Sequence, residues 1–204
     1  MRRAEIKRKT NETDINLFLD LDSRGEGAIK SGSGFFDHML KLFAANAGIT
    51  LSVSCAGDTE VDFHHSVEDI GIALGEALKQ ALGDKSGINR YGWAALAMDE
   101  ALILASIDLS GRSFLNFDVE FKAAKLSDGG EAIPALIGSF DTELISEFFA
   151  ALTRSAAATL HLKKLEGVNS HHIAEGVFKA FGRALKQAVA ADPGAGVPST
   201  KGVL

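Results

Sequence analysis

Two stretches of this chain carry metal-ligating residue types at the same spacing. Asp62-Phe63-His64-His65-Ser66-Val67-Glu68 and Asn169-Ser170-His171-His172-Ile173-Ala174-Glu175 both contain His-His-x-x-Glu, and each opens a run of helical periodicity. Helix residues four apart lie on one face, a turn apart. His64 with Glu68, and His171 with Glu175, can therefore each grip one ion. The second histidine of each pair is turned about 100° around the helix axis, so His65 and His172 point toward a second ion. Imidazole and carboxylate both suit divalent transition metals. A lone His-His on a helix is commonly structural or incidental, and it is the recurrence that points to metal.

The recurrence extends beyond the ligands. At an offset of 107, residues 64–83 match 171–190 at ten of twenty positions, including Gly75/Gly182 and the run Ala77-Leu78-Lys79-Gln80-Ala81 against Ala184-Leu185-Lys186-Gln187-Ala188. Four of the six histidines lie in the two copies. Glu100 to Leu109 aligns with Glu12 to Leu21 at an offset of 88, sharing Glu, Ile, Asp and Leu. An offset of 109 sets Thr159-Leu160 on Thr50-Leu51 and Glu147 on His38. His38 and Glu147 thus become counterpart ligands. With His64, His65, Glu68, His171, His172 and Glu175 they give eight donors, four for each of two ions. An octahedral ion then keeps open positions, which favours catalysis. Nitrogen and oxygen donors without thiolate suit manganese or iron better than structural zinc.

The elements that must position these groups read as follows. Residues 5–21 are extended, Ser23 to Gly27 is a turn, and a short strand lies near 28–30. Phe36, Met39, Leu40 and Phe43 mark one face of a helix over 35–47, with Gly48 as its C-cap. Residues 49–54 alternate as a strand, and the first His-His helix stops at Gly83. The second half repeats this order: a strand near 112–121, a helix over 141–157, a strand over 159–164, and a second His-His helix ending near 190. The class is α+β. One compact unit is expected, made of similar halves 1–90 and 91–190 with a coil tail, 191–204.

The bulk numbers narrow the function classes. The chain has 204 residues, 46% hydrophobic, with a net charge of −6. It offers no basic footprint for nucleic acid. Cys55 is the only cysteine, so no intrachain disulfide can form, and a cytoplasmic location is expected. The basic start, Met1 to Lys9, lacks a following apolar run and does not read as a signal peptide. The most apolar segment, 93–107, is short and broken by Asp99 and Glu100, so no membrane span is expected. His161 lies outside every motif and reads as a strand histidine.

The motifs, in order, resemble imidazoleglycerol-phosphate dehydratases. The resemblance rests on Glu12-Thr13, Gly34-Phe35-Phe36-Asp37-His38-Met39-Leu40, Val61 to Asp69, Gly87-Ile88-Asn89-Arg90, Asp108-Leu109-Ser110-Gly111-Arg112, Gly167 to Lys179, and Pro198-Ser199-Thr200-Lys201-Gly202-Val203-Leu204. It covers almost the whole chain. It implies dehydration of D-erythro-imidazole-glycerol phosphate to imidazole-acetol phosphate in histidine biosynthesis, with the substrate ring gripped as an imidazolate between two manganese ions. It implies two four-stranded sheets flanking four helices. It also implies a homo-oligomeric shell of twenty-four subunits, with metal ligands drawn from adjacent copies.

The resemblance assigns residues as well. Glu12 and Glu175 are the carboxylates able to move protons, Glu12 the favoured one because Glu175 is also a ligand. Arg90, Arg112, Lys179 and Lys201, with Ser199 and Thr200, are to hold the phosphate. His38, His64, His65, Glu68 and His171 are to face the substrate as well as the metal. The tail is expected to be ordered when docked in a site. Two departures stand out: some members carry histidine where this chain has Glu147, and many carry aspartate where it has Phe63. The rival readings are another metal-dependent lyase or hydrolase on the same duplicated site, and a non-catalytic metal-binding assembly protein.

Overall fold

The computed structural model describes residues 1–122, 135–192, 194 and 196–202. Val203 and Leu204 of the tail motif lie outside the described residues, as do Pro193, Ala195 and residues 123–134. In the first half, β1 (Arg3–Lys9) and β2 (Thr13–Asp20) form an antiparallel hairpin, followed by β3 (Ile29–Lys30), α1 (Gly34–Ala47), β4 (Thr50–Gly57) and α2 (His64–Leu82). The second half repeats the order with β5 (Tyr91–Met98), β6 (Ala101–Asp108), β7 (Phe114–Asp118), α3 (Glu143–Ala156), β10 (Thr159–Glu166) and α4 (Ser170–Ala188). A short ribbon, β8 (Leu136–Ile137) and β9 (Phe140–Asp141), precedes α3. The sequence did not anticipate that ribbon, and two residues per strand are too few to set a periodicity.

The two sheets have one topology. Their orders are β1-β2-β4-β3 and β5-β6-β10-β7, and in each the last pair is parallel while the others are antiparallel. Alternation decides which face is inside. In β2, Ile15, Leu17 and Leu19 are buried while Asp14 and Asn16 are exposed. In β6, Ile103, Ala105 and Ile107 are buried. α2 packs on β1 and β2, and α4 on β5 and β6. The helices then pair across the duplication, α1 along α4 and α2 along α3, so they lie between the sheets.

Phenylalanine fills the space where the helices meet. Phe148 of α3 meets Phe36 of α1 at a 5.3 Å centroid distance and Phe178 of α4 at 5.5 Å, and Phe43 stacks on Phe181 at 5.0 Å. All five are fully buried. Each such side chain contributes roughly 1.5–3 kcal/mol through burial alone. The glycines matched in the repeat explain how closely the helices approach. A Cβ on Gly75 would stand 2.5 Å from the Leu152 carbonyl oxygen of α3, and one on Gly182 would stand 2.7 Å from the Phe43 carbonyl oxygen of α1. The same position of the repeat thus sets both cross-helix contacts, and these contacts bring ligands from different halves together.

Candidate active site

α1 and α4 carry the group of donors that converges within one chain. α1 starts at Ser33, whose hydroxyl accepts from the Phe36 N–H. It ends at Gly48, whose left-handed backbone (φ 70°) donates to the Ala44 carbonyl. α4 starts at Asn169, whose side-chain oxygen accepts from the His171 and His172 N–H groups. These caps satisfy helix-end donors and fix the turn that bears the histidines. Glu175, buried on the next turn, lies with its Oε1 3.1 Å from His171 Nε2 and 3.2 Å from His38 Nε2. Its other oxygen accepts from Lys179 Nζ at 2.5 Å. Burial pushes the Glu175 carboxyl up, but its bonds to Lys179, His38 and His171 outweigh this and bring it down to about 2. It is therefore an anion at neutral pH, as a ligand must be.

The donor set fits a divalent ion. Ligand atoms of His38, His171 and Glu175 all lie within 4.8 Å of one another. Two ring nitrogens and one carboxylate oxygen are the mixed, thiolate-free set suited to manganese, iron or catalytic zinc.

The other copy is arranged differently. His64 and Glu147 face one cleft of about 260 Å³, also lined by Asp62, Phe63, Asp141 and Glu143. Glu147 thus stands on α3 opposite α2 much as His38 stands on α1 opposite α4. Glu68, one turn beyond His64, is paired with Arg154 at 2.8 Å. Among the described residues, His64, Glu68 and Glu147 do not converge as His38, His171 and Glu175 do. Phe63 packs near Phe140, 6.4 Å between centroids, and so forms part of the cleft wall.

His65 and His172 are held from the side. Asp58 lies 3.0 Å from His65 Nδ1, and Glu100 lies 2.7 Å from His172 Nδ1. These carboxylates raise both imidazoles above the ordinary histidine value. In return the His172 bond and the Asn169 N–H bring Glu100 down to about 2. Glu12 sits at the tip of the β1–β2 hairpin, with Oε1 3.8 Å from His65 Nε2. Its backbone is pinned through its N–H to Thr10 Oγ1 and its carbonyl to the Asp58 N–H.

The expected phosphate-binding residues gather in part. Arg90 has a left-handed backbone (φ 70°) and is held by Asp108 through Nε at 2.6 Å and Nη2 at 3.1 Å. Arg112, largely exposed, reaches the same carboxylate at 3.9 Å. The tail is tied to its own chain. Asp192 N–H donates to the Gly87 carbonyl, Gly87 N–H to the Gly196 carbonyl, and Arg90 Nη1 to the Pro198 carbonyl. Ser199 follows directly, its hydroxyl accepting from the Lys201 N–H, while Thr200 and Lys201 are exposed. Lys179 stands apart from this group, on Glu175 and Met98 Sδ. His161, on β10, meets Asn116 and Phe114 of β7, as befits a strand histidine.

The family model for imidazoleglycerol-phosphate dehydratase matches residues 31–185. The chain belongs to the imidazoleglycerol-phosphate dehydratase family. It is a hydro-lyase of histidine biosynthesis. The imidazoleglycerol-phosphate dehydratase of Streptococcus sanguinis is 56% identical over the full length of both chains. That of Desulforamulus reducens is 53% identical, over 100% of this chain and 98% of the relative. The crystal structure of the dehydratase from Pyrococcus furiosus superposes with a TM-score of 0.80 at 38% identity, covering 98% of this chain and all of that one. The Staphylococcus aureus dehydratase gives 0.79 at 35% identity, covering 93% and 99%. The non-catalytic reading falls with this membership, and so does that of another metal-dependent lyase or hydrolase on the same duplicated site. Among the described residues no helix is long and apolar enough to cross a membrane.

Sequence reasoning missed Asp58 and the role of Glu100. Asp58 belongs to no repeated motif. Glu100 did carry a signal, its alignment with Glu12, but the alignment does not say which ring atom the carboxylate faces.

Proposed function

We propose that this chain carries out the family reaction with two manganese ions per site. The ligands are His38, His64, His65, Glu68, Glu147, His171, His172 and Glu175. Glu12 is the acid/base group, and the sites are completed between copies in a homo-oligomer of twenty-four subunits. The observation that carries this reading is the convergence of His38 and His171 on Glu175. Three donors are too few for an octahedral ion, while His65, His172, His64 and Glu147 present further donors that the same chain does not bring to that point. A second copy can supply them. Tyr91, Trp93 and Phe114 are each more than half exposed on the second sheet, and such apolar surface favours burial by neighbours.

In the proposed chemistry, a carbon-bound proton and the hydroxyl of the neighbouring carbon leave D-erythro-imidazole-glycerol phosphate together as water, and the remaining enol becomes the ketone of imidazole-acetol phosphate. When bound, the two ions hold the substrate ring and stabilise the negative charge that develops on it. Glu12 moves the proton. Its backbone is fixed, its carboxylate is half exposed, and no hydrogen bond to its side chain competes with substrate among the described residues. Glu175, tied by three partners and strongly acidic, is suited to ligation rather than proton transfer. Arg90, Arg112 and Lys201, with Ser199 and Thr200, bind the phosphate and orient the carbon chain, and Lys179, which stands apart from them in its own chain, completes that set from an adjacent copy. The halves 1–90 and 91–190 then act as one catalytic unit, and the tail, 191–204, contributes to the substrate site.

The test is Glu12→Gln. Retained manganese and assembly with loss of most turnover is the expected result. Full activity would remove Glu12 from the mechanism.

A further inference from the structure

The two second histidines are oriented by carboxylates that come from different places in the two halves. His65 Nδ1 lies 3.0 Å from Asp58, one residue past the end of β4. His172 Nδ1 lies 2.7 Å from Glu100, on the β5–β6 turn. Glu100 is the counterpart of Glu12: each directly precedes the first residue of the second strand of its hairpin, Ala101 and Thr13. Yet Glu12 stands 3.8 Å from the opposite ring atom, Nε2, of its histidine.

An ionised carboxylate only accepts hydrogen bonds. Each contact at Nδ1 therefore requires the proton on that nitrogen, and in the neutral ring this leaves the lone pair on Nε2. We propose that Glu100 is a positioning residue that commits His172 to ligate metal through Nε2, as Asp58 does for His65. One duplicated glutamate has thereby taken two tasks, proton transfer at Glu12 and ligand orientation at Glu100. The metal part of this inference rests on the functional reading above. Outer partners of this kind fix tautomer and ring orientation in metal sites.

Glu100 is built for the task. Its Oε1 accepts from the Asn169 N–H at 2.8 Å and the Val168 N–H at 3.3 Å, and its Oε2 takes the ring. Asn169 in turn caps α4. One carboxylate thus fixes both the start of the helix and the rotation of a ring on its first turn. In the first half these jobs are not combined, because Asp58 holds the ring and leaves Glu12 free.

The experiment uses the full chain and two readouts. Nitrogen-15 NMR of the metal-free protein reports which ring nitrogen of His172 carries the proton, and titration with Mn²⁺ alone reports affinity. Glu100→Ala should move the His172 proton away from Nδ1 and weaken manganese binding about 10- to 100-fold. Glu100→Gln, which keeps a carbonyl acceptor, should restore most of both. An unchanged tautomer and unchanged affinity in Glu100→Ala would overturn the proposal. If Glu100→Ala fails to fold, Asp58→Ala makes the same test on His65, because the Asp58 N–H bond to Glu12 is backbone and survives. Wild-type protein that binds no manganese would defeat the metal reading, and the NMR readout would still decide whether Glu100 sets the tautomer.

Discussion

His38 and Glu175, 137 residues apart in the chain, meet at 3.2 Å. The contact joins the first helix of one half to the last helix of the other, so the duplication folds its own ends onto one site. Glu175→Gln keeps the size of the side chain and removes the charge. Manganese affinity should fall by more than about a hundredfold, beyond the loss typical of an outer partner, and turnover should fall with it. His171→Ala should also lose metal and disturb the higher assembly, as should His64→Ala if neighbours complete the sites. Isothermal titration and sedimentation would read both effects, and a fully loaded, intact assembly from either histidine variant would refute the ligand assignment.

The close approach of α4 to α1 depends on Gly182. A methyl group there meets the Phe43 carbonyl at 2.7 Å and the Ala47 amide nitrogen at 3.0 Å, both backbone. Backbone cannot rotate away, so the helices must separate. Gly182→Ala should destabilise the fold by roughly 1–3 kcal/mol, seen as a lower urea midpoint. It should also move His38 from Glu175 and weaken metal binding. A stability equal to wild type would contradict the packing account.

Stability should also carry a carboxylate signature at low pH. Arg2 binds Asp22 through its side chain and its backbone N–H, and holds that carboxyl below its ordinary value of 3.8. A depressed folded-state value adds stability that is present above the unfolded value and is lost as pH falls through the folded one. Asp22→Asn should therefore lower the melting temperature at pH 7, and the gap to wild type should close below about pH 4. A gap that persists undiminished at pH 2 would show that the ion pair is not its source.

Much of this was legible in the sequence because it depends on local periodicity. The apolar spacing of Phe36, Met39, Leu40 and Phe43 located α1, and Gly48 and Gly83 marked where helices stop. The His-His-x-x-Glu repeat located the donors, and the alignment of Glu147 with His38 placed both on the first long helix of their halves. Spacing does not say which helices pair across the duplication. That depends on Gly75, Gly182 and the phenylalanines, whose contacts are long-range. Nor does it show that Arg90 is bound by Asp108 and Pro198, or that Asp58 and Glu100 hold ring nitrogens. Those are side-chain hydrogen bonds between residues 7 to 108 positions apart, and a motif names residues without saying which of them pair.

The most direct test of the central claim is release of imidazole-acetol phosphate from imidazole-glycerol phosphate by metal-stripped protein, with and without added Mn²⁺. Turnover that appears only with Mn²⁺, at two ions per site, is the predicted result. Full turnover by the stripped protein, or none with manganese bound and the assembly intact, would contradict it.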